Sequence, residues 1–182
     1  MITDVMIDNE TLGQHADSVI ISVGAVGFDP TTGVLDQPMG ARLSIDEQLR
    51  MGRKITESTL VWWMKQGGTA KALFEESPES VTSAITRLAA YIRKNGPDVR
   101  VWGCGSDFDN AQLQHLYNQM DFPLPWNFWN NRCYRTLKEL NKTIKWDLPP
   151  AVAHNAIADA MAQARHACKI LKTLKSPSST IG

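Results

Sequence analysis

A chain of 182 residues, 43% of them apolar, is sized for one domain with a substantial single core. Nineteen Lys and Arg balance nineteen Asp and Glu, so no global positive field would hold a polyanion and any nucleic-acid affinity must be local. Cys104, Cys133 and Cys168 lack the spacing of a zinc site or a disulfide framework, Asp4, Asp8 and Glu10 stand where a signal peptide would need a basic then apolar stretch, and no apolar run matches a bilayer, which together predict a cytoplasmic protein with no membrane partner.

Taken in chain order, Val5 to Ile7 is a short apolar run that ends in acidic residues. Val19 to Phe28 and Val34 to Leu43 flank the turn signal Asp29-Pro30-Thr31-Thr32-Gly33, so three strands are expected, the last two a hairpin. From Ile45 to Phe74 the pattern is helical and irregular, centred on Thr59-Leu60-Val61-Trp62-Trp63. Pro78 then introduces a helix over 81–95, which Gly96-Pro97 stops. Val99 to Gly103 reads as a buried strand. It is followed by a helix over 107–120, a loop over 121–131, a short helix over 134–141 and, after Pro149-Pro150, a long helix over 155–175. The tail 176–182 is small and polar and is expected to be flexible, leaving 1–175 as a single domain. A strand meander followed by mixed strands and helices predicts a three-layer α/β fold with a mixed central sheet flanked by helices.

In a strand, residues two apart share a face, so Asp8 and Glu10 point the same way from the end of the first strand. Two adjacent carboxylates call for a cation, and hard oxygen ligands suit Mg²⁺ or Mn²⁺; a solvated turn is the bland reading of Asp-x-Glu alone. Leu113, Leu116, Tyr117 and Met120 form one inward helical stripe. Asp109 precedes Leu113 by four residues and falls on that stripe, whereas Asp107 lies to the side. An inward carboxylate needs a partner, and a metal shared with Asp8 and Glu10 would supply one; the competing role is a helix cap. His154 and Asp159 open the last helix, with Asp159 off its apolar stripe of Ile157, Ala160, Met161, Ala164, Cys168 and Leu171.

The three clusters together resemble the DnaQ-like, DEDDh 3′-5′ exonucleases of the ribonuclease H-like superfamily. Ile7-Asp8-Asn9-Glu10-Thr11-Leu12-Gly13 is similar to that family's first motif, Phe108-Asp109 after a glycine-containing strand end to the second, and His154-x-Ala156-x-x-Asp159 to the third. The Thr59 to Trp63 segment is similar to the small phage and bacterial proteins that resemble the N-terminal region of exonuclease VIII. The resemblance implies two divalent ions, Mg²⁺ or Mn²⁺, held by Asp8, Glu10, Asp109 and Asp159, with His154 as general base and free to swing in the approach to its helix. It also implies that Thr11, Leu12, Gly13 and Phe108 hold the terminal nucleotide of a single-stranded nucleic acid or short oligonucleotide, RNA or DNA, with Leu12 as an apolar wedge. Related exonucleases often pair, so a homodimer is a further expectation.

Trp62, Trp63, Phe108, Trp126, Phe128 and Trp129 are candidate stacking platforms for bases, with burial in the core as the alternative. Arg132, Arg135, Lys138 and Lys142 form a candidate basic strip. A nucleotidase or short-oligonucleotide hydrolase on the same metals, and a catalytically silent nucleic-acid-binding scaffold, are the rival readings.

Overall fold

Residue pattern alone accounts for the centre of the molecule. In the computed structural model, which describes residues 1–145 and 154–175, strand β1 (Asp4–Thr11) and strand β2 (Ile20–Phe28) pair antiparallel, and both are almost wholly buried. Strand β3 (Met39–Arg42) adds to β2 antiparallel, giving the expected hairpin. Its strand is shorter than Val34 to Leu43, because Asp36, Gln37 and Pro38 interrupt the ladder and only a bridge from Phe28 to Leu35 remains. Strand β4 (Arg100–Gly103) runs parallel to β1, and strand β5 (Asn131–Cys133) runs parallel to β4. The sheet order is therefore β3-β2-β1-β4-β5, a mixed sheet.

Helices cover both faces, as the three-layer expectation required. Helix α1 (Ile45–Arg50), helix α2 (Glu57–Met64) and helix α3 (Gly68–Glu75) divide the irregular helical stretch. Helix α4 (Val81–Arg93) is started by Ser80, whose side chain accepts from the Ser83 amide. Its inner face joins Leu113, Leu116 and Tyr117 of helix α5 (Ala111–Gln119) over Val5 and Ile7 of β1. On the other face, helix α6 (Tyr134–Glu139) and helix α7 (Ala156–Lys175) pack Leu137, Ala160, Ala164 and Ala167 against Met6, Val26 and Trp102. Alternation along β1 thus divides the strand between two cores.

Two features depart from the expectation. Residues 121–131 are not all loop, because Asn131 begins β5; the Asn110 side chain ties that edge strand down by donating to both Val101 O and Asn131 Oδ1 at 3.0 Å. The helix expected over 107–120 begins instead as a π-helical turn, Ser106–Asn110, before α5. The Pro149-Pro150 approach to α7 and the flexible tail at 176–182 lie outside the described residues. Among the described residues no helix is long and apolar enough to cross a membrane.

Candidate active site

The three parallel strands end on the same side of the sheet, where crevices form in open α/β sheets. Asp8 and Glu10 occupy the last turn of the ladder in β1, and β2 carries a bulge where its register shifts opposite Glu10 and Thr11. Both carboxylates project toward α7, the face opposite Asn9. Asp8 Oδ1 accepts a hydrogen bond from Gln163 Nε2 of α7 at 2.6 Å. Asp159, in the first turn of α7, completes a trio with them. One carboxylate oxygen from each of Asp8, Glu10 and Asp159 lies within 4.8 Å of the others.

Helix α7 reaches this position because β2 yields to it. Gly24, the partner of Asp8 across the ladder, has no side chain, and a Cβ there would sit 2.1 Å from the Ala156 carbonyl oxygen. The first turn of α7 therefore lies directly on the strand backbone.

Asp109 stands outside that trio and enters from the other helical layer. Buried at 2% exposure, it accepts from the Asn9 amide through Oδ1 at 3.0 Å, while Asn9 Nδ2 donates back to the Asp109 carbonyl. Gly103 makes room, since a Cβ at that position would meet the Asp109 Cβ at 2.8 Å. Asp107 is exposed, so the helical-stripe argument separated the two acids correctly in space.

Burial and mutual repulsion raise the pKa values of these acids. Burial, then the charges of Asp109, Glu10 and Asp159, hold the Asp8 carboxyl well above the usual carboxylate range. Glu10 is pushed up to about 8 by burial and by Asp159 and Asp109. Burial raises Asp109 to about 7 against the opposing amides of Asn9 and Cys104, and burial raises Asp159 as well. Asp109 Oδ2 is buried with no hydrogen-bond partner among the described residues. Four mutually repelling oxygen donors, one with an orphaned atom, fit a hard divalent cation.

His154 stands beside Asp159. It adopts φ +67, unusual for a residue with a side chain, and its amide donates to Asp159 Oδ2 at 3.0 Å. Its ring stands edge-on to Trp62, centroid to centroid 4.9 Å, and 5.9 Å from Trp63. Trp63 is buried and donates through Nε1 to Thr11 O, whereas Trp62 is 41% exposed. Trp62 and Trp63 line a cleft of about 360 Å³ with Glu10, Thr11, Gly13, Gln14 and Phe108.

The remaining candidates divide. Thr11 Oγ1 donates to Gly13 O at 2.7 Å, closing the turn after Glu10. Leu12 is 2% exposed and packs on Val19, Ile21 and Trp63, so its side chain is part of the core and not an open wedge. The exposed residue of that turn is Gln14, which lines the Trp62 cleft and the neighbouring cleft of Asp8 and Asp109, as half-buried Phe108 does. Sequence reasoning passed over Gln14 and Gln163; the one signal available was their position, one just after the first motif and the other one turn beyond Asp159. Trp126 is buried, and Phe128 and Trp129 precede β5 at the far end of the parallel strands, away from the carboxylates. In the basic strip, Arg132 is bonded to the Trp129 and Asn131 carbonyls, Lys138 lies over the Tyr134 ring and Lys142 pairs with Glu139. Arg135 alone of the four lines the carboxylate cleft.

Comparison with known proteins places this arrangement. A curated exodeoxyribonuclease of Enterobacteria phage T4 is 28% identical over 189 residues, covering 86% of this chain and 83% of its own. E. coli exonuclease I in complex with a dA16 oligonucleotide superposes with a TM-score of 0.65 at 13% identity over 96% of this chain. The chain spans 43% of that larger protein. The nuclease domain of 3′hExo, a DEDDh family member bound to rAMP, gives a TM-score of 0.59 at 10% identity, covering 93% of this chain and 92% of its own. These superpositions establish the ribonuclease H-like fold, and the acidic cluster sits in it as a candidate metal site for a nuclease. Residues 3–171 match the family described as the 3′-5′ exoribonuclease Rv2179c-like domain, and the chain belongs to that family of DEDDh-related exonucleases.

Proposed function

We propose that the protein is a metal-dependent 3′-5′ exonuclease that removes nucleotides from the end of single-stranded RNA or DNA. The observation that carries this reading is the meeting of Asp8, Glu10 and Asp159 within 4.8 Å beside an aromatic cleft of one-nucleoside size. The family match over 3–171 supports reading residues 1–175 as one exonuclease domain.

In this reading Asp8, Glu10, Asp109 and Asp159 hold two Mg²⁺ or Mn²⁺ ions. Bound divalent ions neutralise the scissile phosphate, acidify a water and stabilise the leaving 3′-oxygen. The chain's own residues do the rest. Gln163 fixes the rotamer of Asp8, and Asn9 fixes that of Asp109. The exposed face of Trp62 and the edge of Phe108 receive the terminal base, a contact worth roughly 1–3 kcal/mol for an aromatic platform. Trp62 and Trp63 belong to the Thr59 to Trp63 segment, on which the sequence resembles small phage and bacterial proteins similar to the N-terminal region of exonuclease VIII. The His154 ring leaves the tryptophan edge and takes the proton of the attacking water, with its backbone still tethered to Asp159.

A time course on 5′-labelled single-stranded RNA and DNA of one sequence, with Mn²⁺, Mg²⁺ or EDTA, tests the proposal. The expected result is a metal-dependent ladder shrinking from the 3′ end, abolished by Asp8→Ala. Cleavage of a closed circular strand, or activity that Asp8→Ala leaves intact, would sink it.

A further inference from the structure

The cleft beside the carboxylates contains a cation that the proposed chemistry leaves without a task. It is lined by Asp8, Gln14, Cys104, Asp107, Phe108, Asp109 and Arg135, so Arg135 is the positive group in an acidic wall. Arg135 is exposed, and its guanidinium rests against the backbone of the turn after β4. Nη2 donates to the Cys104 carbonyl at 2.8 Å, and the group lies against Gly105, where a Cβ would stand 3.1 Å from Nη2 and 3.3 Å from Cζ. Gly105 has φ +117, a conformation that side-chain-bearing residues rarely adopt, so the seat depends on glycine twice over.

Arginine carries five N–H donors. Among the described residues Arg135 makes that one hydrogen bond and no ion pair, although Asp107 and Asp109 line the same cleft. An exposed guanidinium with one backbone partner, beside a set of carboxylates, is open to an anion that arrives with the substrate.

The layout indicates which anion, resting on the exonuclease reading above. The Trp62 cleft and the Arg135 cleft share Phe108 and Gln14, with Glu10 lining the first and Asp8 and Asp109 the second. With the terminal nucleoside in the first and the scissile phosphate at the carboxylates, the strand continues in the 5′ direction into the second. We propose that Arg135 binds the phosphate immediately 5′ of the scissile one, its planar fork matched to the two non-bridging oxygens. Arg135 then positions the strand while the carboxylates carry the reaction, and a substrate gains from it only if it contains that second phosphate.

A chemical double-mutant cycle tests this. Wild type and Arg135→Gln are compared on a single-stranded oligonucleotide with either a normal phosphodiester or an uncharged methylphosphonate at the linkage 5′ of the scissile bond. Loss of a charge-assisted contact predicts that wild type falls roughly tenfold or more in kcat/KM on the methylphosphonate. Arg135→Gln should fall by a similar factor on the normal strand and show no further loss on the methylphosphonate. Arg135→Lys should recover part of the loss, and the salt dependence of binding should weaken by about 0.7 in log-log slope on removing one phosphate contact. Equal activity of Arg135→Gln and wild type on the normal strand, or two losses that simply multiply, overturns the assignment while leaving the nuclease reading in place. Wild type that fails to cut any strand with Mg²⁺ or Mn²⁺ overturns both.

Discussion

Asp109 and His154 approach the same carboxylates from the two helical layers and are held in contrasting ways. Asp109 is buried, gripped by the Asn9 amide, and enclosed where Gly103 makes room for it. His154 sits at a positive φ, joined to the site by one amide contact to Asp159, with its ring roughly perpendicular to those of Trp62 and Trp63. A metal ligand needs its geometry fixed before the ion arrives. A general base has to approach water only when substrate is in place, so a ring held by aromatic contacts alone is compatible with the role proposed for His154.

That contrast breaks most sharply at His154. Substituting His154→Ala should lower kcat by roughly 100-fold to 10,000-fold, the usual span for a general base. Mn²⁺ affinity by isothermal titration should stay within a few-fold of wild type, because the four carboxylates remain. Free imidazole should restore part of the rate. An unchanged kcat, or loss of metal binding together with activity, would show that His154 serves structure and not proton transfer.

The two sides can also be made alike by disturbing how α7 is seated. Gly24→Ala places a methyl group on the Ala156 carbonyl oxygen, and the first turn of α7 must retreat, carrying Asp159 and the preceding His154 with it. Overpacking of this kind costs about 1–3 kcal/mol, read as a lower melting temperature. Mn²⁺ affinity should fall with it, whereas a change of equal cost far from the site would leave affinity alone. A Gly24→Ala protein that melts lower yet binds Mn²⁺ normally would separate the seating of α7 from the metal site.

How far the sequence foretold all this differs between the same two sides. Asp8 and Glu10 were legible because strand alternation aims residues two apart at one face. Asp109 does lie inward, but on a π-helical turn and not on the expected α-helix, held there by the Asn9 amide beside Gly103. The role of Gly24 was not legible, since its reason is a carbonyl 132 positions later in the chain that only the sheet and α7 together bring near. Leu12 misled for a related cause: the turn closed by Thr11 and Gly13 carries it inward onto Trp63 and leaves Gln14 outside. Strand β5 is three residues long and reads as loop, because its hydrogen bonds come from β4 and from Asn110 and not from any pattern of its own. The mixed sheet and its layers, built from long apolar runs, came through with their boundaries shifted.

The last effect expected is a pH-dependent one on stability, and its sign distinguishes a site built for metal from one built for the fold. Glu10 has a folded pKa near 8, against an ordinary value of 4.5, and Asp8, Asp109 and Asp159 are raised as well. Between those limits the folded protein binds more protons than the unfolded chain. Metal-free stability must therefore fall as pH rises from about 5 to about 8, since ionising the cluster costs more in the fold than in the open chain. Glu10→Gln removes one ionisation at similar volume. In EDTA it should match wild type at pH 5 and exceed it at pH 8 by on the order of 1–3 kcal/mol, a shift of a few degrees in melting temperature. Added Mn²⁺ should reverse the order at pH 8, because deprotonated carboxylates are the ones that bind it and wild type has one more. If Glu10→Gln melts lower than wild type in EDTA at every pH, the acidic cluster supports the fold without metal, and the contrast between a fixed ligand set and a stored base loses its first half.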